Sequence, residues 1–240
     1  MMEKMRISAV SYTNAKPFVF GLTHGSLNDK IELSLDIPSD CADKLINNQV
    51  DIGLVPVATL LKLPSYQIVS DYCIGAIGAV HSVFIFSNKP ITAIKSIRAD
   101  KQSRTSNLLA KVLLKNYWKT NPEWVESEDA DAFVLIGDRT FGKVEQYAYA
   151  YDLSATWYEM TTKPFVFAAW VSNKAISEEF ISEFNETLKL GLANRPELIK
   201  ELDTFPNFDM TKYLNEYIDY DLDHSKKASL AHFLELAKTV

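Results

Sequence analysis

The chain has 240 residues, 47% of them hydrophobic and 23% charged, enough to bury a sizeable core as one large domain or two small ones. Its formal charge is −6 and its 25 Lys and Arg are scattered without a basic block, which argues against a nucleic-acid partner. Cys41 and Cys73 lack CxxC spacing and the histidines are not clustered, so neither a disulfide framework nor a metal site is expected.

The start, MMEKMRISAV, passes straight into strand-like sequence without the apolar core of a secretory signal, so the cytoplasm is the expected compartment. Residues 5–10, 31–37 and 51–55 read as strands, separated by helical patterns at about 15–24 and 40–48, the latter capped by Ser39 or Asp40. This βαβαβ order predicts a parallel sheet. CIGAIGAVHSVFIF, residues 73–86, has a β pattern longer than one ordinary strand and ends at the turn signal Ser87-Asn88-Lys89-Pro90; it reads as a crossover strand between domains. A second α/β unit follows, with a strand at 96–100, a helix at 105–118, a strand at 132–136, a helix at 139–149 and an apolar return strand at 165–171. Helical patterns at about 176–193, 196–203, 210–218 and 226–238 complete the chain, split by Pro196, Pro206 and the acidic stretch 219–223, which reads as a solvated turn. No apolar run reaches the length of a membrane span, about 18 residues. The predicted architecture is α/β with two lobes joined by two crossover strands. Residues 1–86 and 172–240 form the first lobe, residues 87–171 the inserted second, and the C-terminal helices pack on the first. A cleft then lies between the lobes.

Five stretches could carry chemistry. Ser103-Arg104-Thr105-Ser106 precedes the apolar helical pattern Leu108, Leu109, Val112, Leu113. A helix start leaves unpaired N–H groups and a partial positive charge, the hydroxyls add donors, and Arg104 adds a planar cation. The stretch is therefore a carboxylate cradle or, without a ligand, an ordinary N-cap. The first strand runs into Ser11-Tyr12-Thr13-Asn14-Ala15-Lys16-Pro17-Phe18, at the sheet edge where α/β folds bind ligands. Asn14 donates and accepts, Ser11 offers a hydroxyl and Lys16 a cation, though the same residues suit a simple turn. In the crossover strand, alternation sets Ser82 against His81, and a polar residue amid apolar ones favours Ser82 for the cleft; the alternative is a hydroxyl bonded to backbone. His81 has no acid nearby in sequence to orient it as a base. In Ile136-Gly137-Asp138-Arg139, Asp138 either contacts a substrate hydroxyl or caps the next helix. Asp152, Trp157 and the run 162–167 form an aromatic wall or core, with core the better reading for Phe165 and Phe167. There is no GxSxG, P-loop, HExxH or GxGxxG, so no cofactor is expected.

Taken in order, VSYTNAKPF, DIGLVPVATLL, DYCIGAIGAVHSVFIFS, SRTSNLLAKVLL, FVLIGDRTF and YDLSATWYEMTTKPFVFAAW resemble chorismate dehydratases of the futalosine-type menaquinone pathway, over roughly residues 5–172. The resemblance implies a periplasmic-binding-protein type II fold. It also implies a cytoplasmic hydro-lyase that converts chorismate to 3-[(1-carboxyvinyl)oxy]benzoate, working as a monomer or homodimer with no nucleic-acid or membrane partner. Of chorismate's two carboxylates, one is expected at the 103–106 helix start and the other near Ser11, Asn14, Lys16 or Ser82. Tyr12, Gly137, Asp138 and Phe165 complete the expected binding set. No stretch offers a convincing side-chain base, so the substrate's enolpyruvyl carboxylate is expected to take the ring proton while Asn14 and Ser82 orient it. Lys163 departs from the family, which commonly has an apolar residue before Pro-Phe-Val. The related 1,4-dihydroxy-6-naphthoate synthases resemble the chain less, since they start on a Ser-Pro-Cys-Pro-Asn-Asp type turn and use a His base. A non-catalytic solute receptor of the same fold would usually carry an export signal or lipid anchor.

Overall fold

Strand β1 (Met5–Val10) is apolar toward its C-terminal end and pairs in parallel with β2 (Ile31–Asp36) on one side and β3 (Ile52–Pro56) on the other. The computed structural model describes residues 4–240, so the first three residues of the stretch read for an export leader lie outside it. Helices α1 (Lys16–His24) and α2 (Pro38–Ile46) make the two crossovers. α2 begins at Pro38, ahead of the expected Ser39 or Asp40 cap, because proline suits the first turn of a helix and no side chain caps it.

The expected single crossover strand is two strands in two sheets. β4 (Gln67–Ala76) leaves the first sheet, the chain bends through 77–82, and β5 (Val83–Ser87) enters the second. Gly78 at φ 78° and His81 at φ 57° make the bend, a conformation no continuous strand adopts. The second sheet adds β6 (Ser96–Arg98), β7 (Glu123–Val125), β8 (Ala132–Ile136) and β9 (Tyr149–Asp152), in the order β7-β6-β8-β5-β9, with α3 (Arg104–Asn116) after β6. The helix expected at 139–149 does not form. Gly137 and Gly142 hold positive φ, two tight turns replace the helix, and the alternating Tyr147, Tyr149 and Tyr151 feed β9 instead.

Asp152 then caps α4 (Leu153–Thr161), accepting from the Ser154 and Ala155 amides. The chain returns through β10 (Phe165–Ser172), buried along its whole length between β4 and β3. Sheet membership therefore sets the two crossings at 77–82 and 153–164, inside the expected limits at 86 and 171. Helices α5 (Glu178–Ala193), α6 (Arg195–Lys200) and α7 (Met210–Lys212) follow. Next comes a turn wound wider than an α-helix, closed by Ile218 N–H to Tyr213 C=O at 3.0 Å. The acidic stretch read as a solvated turn holds β11 (Asp219–Asp221), an antiparallel partner of β4 at the sheet edge, with Tyr220 and Leu222 buried. The first sheet thus runs β11-β4-β10-β3-β1-β2.

α5 lies on α1 so closely that a Cβ on Gly191 would fall 1.8 Å from the Pro17 carbonyl oxygen. α8 (His224–Ala237) packs on β10 and also reaches α3 and α4, where Trp157 meets Phe233 and donates to Ser229 Oγ at 3.2 Å. The tail is therefore not confined to the first lobe. Both cysteines are buried thiols, and burial pushes Cys41 up to about 12.

Candidate functional site

A small cavity opens where the C-terminal ends of β1 and β3, the 77–82 bend and the start of α3 converge. Two segments of the first lobe border it, the turn after β1 and the turn after β3, and each is held by the second lobe. Tyr12 lays its ring on Gly137, donates its hydroxyl to Gln102 and accepts from Arg139 Nη2 at 3.2 Å. Arg139 is itself fixed by the buried Asp100 at 2.6 Å. Thr13 donates its amide to both Asp138 oxygens at 3.1 Å and its hydroxyl to Oδ2 at 2.9 Å. Burial raises the Asp138 carboxyl, with the Thr13 bonds acting in the opposite sense. At β3, the Ala58 amide donates to Thr105 Oγ1 at 3.1 Å.

Asn14 and Ser82 both line the cavity, and Tyr213 lies beside each. The Ser82 carbonyl accepts from Gly137 N–H at 2.8 Å, and its Oγ accepts from the Tyr213 hydroxyl at 3.0 Å. Asn14 accepts on its backbone carbonyl from the Tyr220 hydroxyl at 2.9 Å and sets its side-chain amide beside Tyr213, while its Oδ1 is buried without a partner. Burial pushes the Tyr213 hydroxyl up, and the bonds to Ser82 and Asn14 pull the other way. His81 turns out of the cavity at its positive φ and packs on Tyr217, the ring centroids 4.1 Å apart and the planes tilted by 36°.

At the start of α3, Ser103 Oγ accepts from Ser106 N–H at 3.1 Å and donates to Ser106 Oγ at 2.9 Å. Cap and cradle are therefore compatible, because the Ser106 hydroxyl proton stays free to face the cavity. Among the described residues no charged side chain lines the cavity, whose polar surface is made of hydroxyls, one amide and backbone. No group of three or more His, Cys, Asp or Glu capable of holding a metal occurs among the described residues.

Of the residues singled out from sequence, Tyr12, Asn14, Ser82, Ser103, Thr105, Ser106 and Gly137 line this one cavity. Five do not. Ser11 is exposed, its amide spent on the Asp36 carbonyl. Lys16 stays outside and acts on Asp138 only through its charge. Arg104 turns back to pair with Asp43 at 2.6 Å. Asp138 is consumed in the bonds to Thr13 rather than capping its own helix or facing the cavity. Phe165 is core, edge-on to Trp157 at 5.4 Å and to Phe233 at 4.9 Å. Phe167 lines the cavity instead, because the β10 register slips between Val166 and Ala168 and presents Phe167 and Ala168 together. Tyr213 and Tyr220, which hold Ser82 and Asn14 from the tail, carry no local sequence signal beyond a tyrosine in an apolar setting.

A profile of menaquinone-biosynthesis proteins matches residues 5–239. The chain belongs to that family. Among curated relatives, a chorismate dehydratase of Thermus thermophilus is 28% identical over 163 aligned residues, covering 56% of this chain and 58% of that protein. A chorismate dehydratase of Campylobacter jejuni is 30% identical over 145 residues, covering 59% of this chain and 58% of that protein. The match thus spans little more than half the length of either relative. In fold, a protein of known structure from Archaeoglobus fulgidus superposes with TM-score 0.77 at 18% identity, over 98% of this chain and 97% of that one. A Candida albicans protein described as having the generic periplasmic-binding-protein fold gives 0.69 at 10% identity, over 100% and 91%. The aliphatic sulphonate binding protein of Escherichia coli gives 0.59 at 15% identity, over 100% and 93%. The family member thus has a periplasmic-binding-protein-like α/β fold, and among its described residues no helix is long and apolar enough to cross a membrane.

Proposed function

We propose that the protein is a hydro-lyase that converts chorismate to 3-[(1-carboxyvinyl)oxy]benzoate, in the cytoplasm and on the futalosine route to menaquinone, as a monomer or homodimer. The observation that carries this reading is the charge-free cavity, which combines neutral donors at the start of α3 with Asn14 and Ser82 and no side-chain base. A dianionic ligand needs donors rather than acids. Each charge-assisted bond to a carboxylate contributes about 1.5–3 kcal/mol once water is excluded. One carboxylate of chorismate sits against Ser103, Thr105 and Ser106, where the α3 dipole adds to the hydroxyls. The enolpyruvyl carboxylate lies near Asn14 and Ser82.

The chemistry then needs little from the protein. The enolpyruvyl carboxylate takes the ring proton, the C–H electrons form the new ring double bond, and the neighbouring C–O bond breaks with its pair on oxygen. That oxygen takes up the proton and leaves as water. Aromatisation drives the step, so a weak base suffices, and the site contributes orientation and charge stabilisation. At about 50 Å³ the cavity is smaller than the roughly 300 Å³ and upward of ligand sites, so the lobes part to admit substrate. The bonds of Thr13 to Asp138, Tyr12 to Gln102 and Ala58 to Thr105 are the ones that open and re-form.

Purified protein incubated with chorismate is expected to release the benzoate product, read by mass spectrometry, with Asn14→Ala and Ser82→Ala both slowed severely. Saturable chorismate binding without product would mean a binding protein and would sink the enzyme reading.

A further inference from the structure

We infer that Tyr213 is a positioning residue that sets the direction of the hydrogen bonds at Ser82 and Asn14, making the first a donor and the second an acceptor toward the ligand. The inference rests on the reading of Asn14 and Ser82 as the working pair. A tyrosine hydroxyl has a single proton. Here it goes to Ser82 Oγ at 3.0 Å, so the serine's own proton is directed elsewhere. The Asn14 amide lies beside the same hydroxyl, while Asn14 lines the cavity and its Oδ1 is buried with no partner. Tyr213 Oη thus links the two, bonded to Ser82 Oγ and set beside the Asn14 amide, with a free proton at the serine end and a free oxygen at the asparagine end. That pairing fits a ligand that presents a carboxylate oxygen next to a hydroxyl. The carboxylate accepts from Ser82, and the hydroxyl is held by Asn14.

Tyr213 is built for such a role. It is fully buried and does not line the cavity, so it acts only through its two neighbours. Phe141 and Phe208 fix its ring edge-on at 5.1 and 5.2 Å. It opens the widened turn 213–217, a local geometry that recurs at functional sites. Residues four apart lie on one face of that turn, so Tyr217 reaches His81 while Tyr213 reaches Ser82. The tail thereby grips two successive residues of the first crossing.

Tyr213→Phe keeps the ring and removes only the hydroxyl. The expected result is a kcat for chorismate lower by about 10- to 100-fold with KM within about threefold, because the loss is of orientation rather than of a ligand contact. Combined with Ser82→Ala, it should add nothing, since the chain of bonds is already cut. A kcat equal to wild type, a loss confined to KM, or additive losses would each overturn the inference. Absence of product from the wild type would refute the assigned reaction instead, and the crystal structure of Tyr213→Phe then decides the positioning role. A turned Ser82 hydroxyl or Asn14 amide supports it, and both side chains unmoved overturn it.

Discussion

Gly137→Ala tests the link between a backbone angle and the cavity wall. Gly137 holds φ 64°, where an L side chain costs about 1–2 kcal/mol. A Cβ there would also lie 2.7 Å from Tyr12 Cδ2, 2.8 Å from Cε2 and 3.1 Å from Cγ, against about 3.5–4.0 Å for carbon atoms in contact. Tyr12 cannot swing aside freely, since its hydroxyl is held between Gln102 and Arg139. The ring must shift by about 1 Å, an overpacking strain of about 1–3 kcal/mol. Together these give about 2–5 kcal/mol, or a fall of about 4–20 °C in Tm for a chain of this size. Gly78→Ala is the control: φ is 78°, but nothing lies within 4 Å of the added Cβ, so only the backbone cost applies. Thermal melts of the two variants and their turnover on chorismate separate the contributions. The reasoning fails if Gly137→Ala melts no lower than Gly78→Ala, or if it keeps full turnover.

Phe165→Ala should cost about 3–5 kcal/mol as a core truncation, whereas Phe167→Ala should melt closer to wild type and raise KM for chorismate; melts and steady-state kinetics check both. Arg104→Ala should leave KM within about threefold and stability within about 1 kcal/mol, because the Asp43 pair is half-exposed and outside the cavity. Thr105→Val, which removes the bond from Ala58, should weaken substrate binding measured by calorimetry. Burial alone would raise the Asp51 carboxyl, but Arg6 and Lys174 outweigh it and hold it well below the usual range. A lowered folded value means stability present above the unfolded value of 3.8 and lost as pH falls through and below it. Tm measured from pH 7 to pH 3 should therefore fall steeply at the acid end, and less steeply in Asp51→Asn.

The sheet-forming runs are legible because strands buried on both faces are continuous apolar stretches, as at 52–56 and 165–172. The bend at 77–82 was hidden because Gly78 and His81 sit in a run whose composition is uniformly β-like, and a single residue at positive φ leaves little trace in pattern. The helix expected at 139–149 shows the converse error, since its periodicity runs straight through Gly142, which holds positive φ. At the site, residues on turns after strands were readable from their position at the sheet edge, which is how Asn14 and the 103–106 start were found. Arg104 and Asp138 were not, because a charged side chain beside a cleft has two directions to turn, and distant partners, Asp43 and Thr13, decide between them. Tyr213 lies 131 residues from Ser82 and no local pattern connects them.

The place of β10 in the first sheet has a consequence for the order in which the molecule assembles. β10 lies between β3 and β4, yet it is made only after the whole second sheet. As the chain leaves the ribosome, β1, β2 and β3 can pair, but β3 and β4 stand with an empty lane between them, and the apolar edges of both face water. The second sheet, by contrast, comes from one continuous stretch, 83–152, and can form at once. The first lobe must therefore wait for the second. An exposed β3 edge during that interval is the point at which a nascent chain is most open to pairing with another copy or to capture by a chaperone.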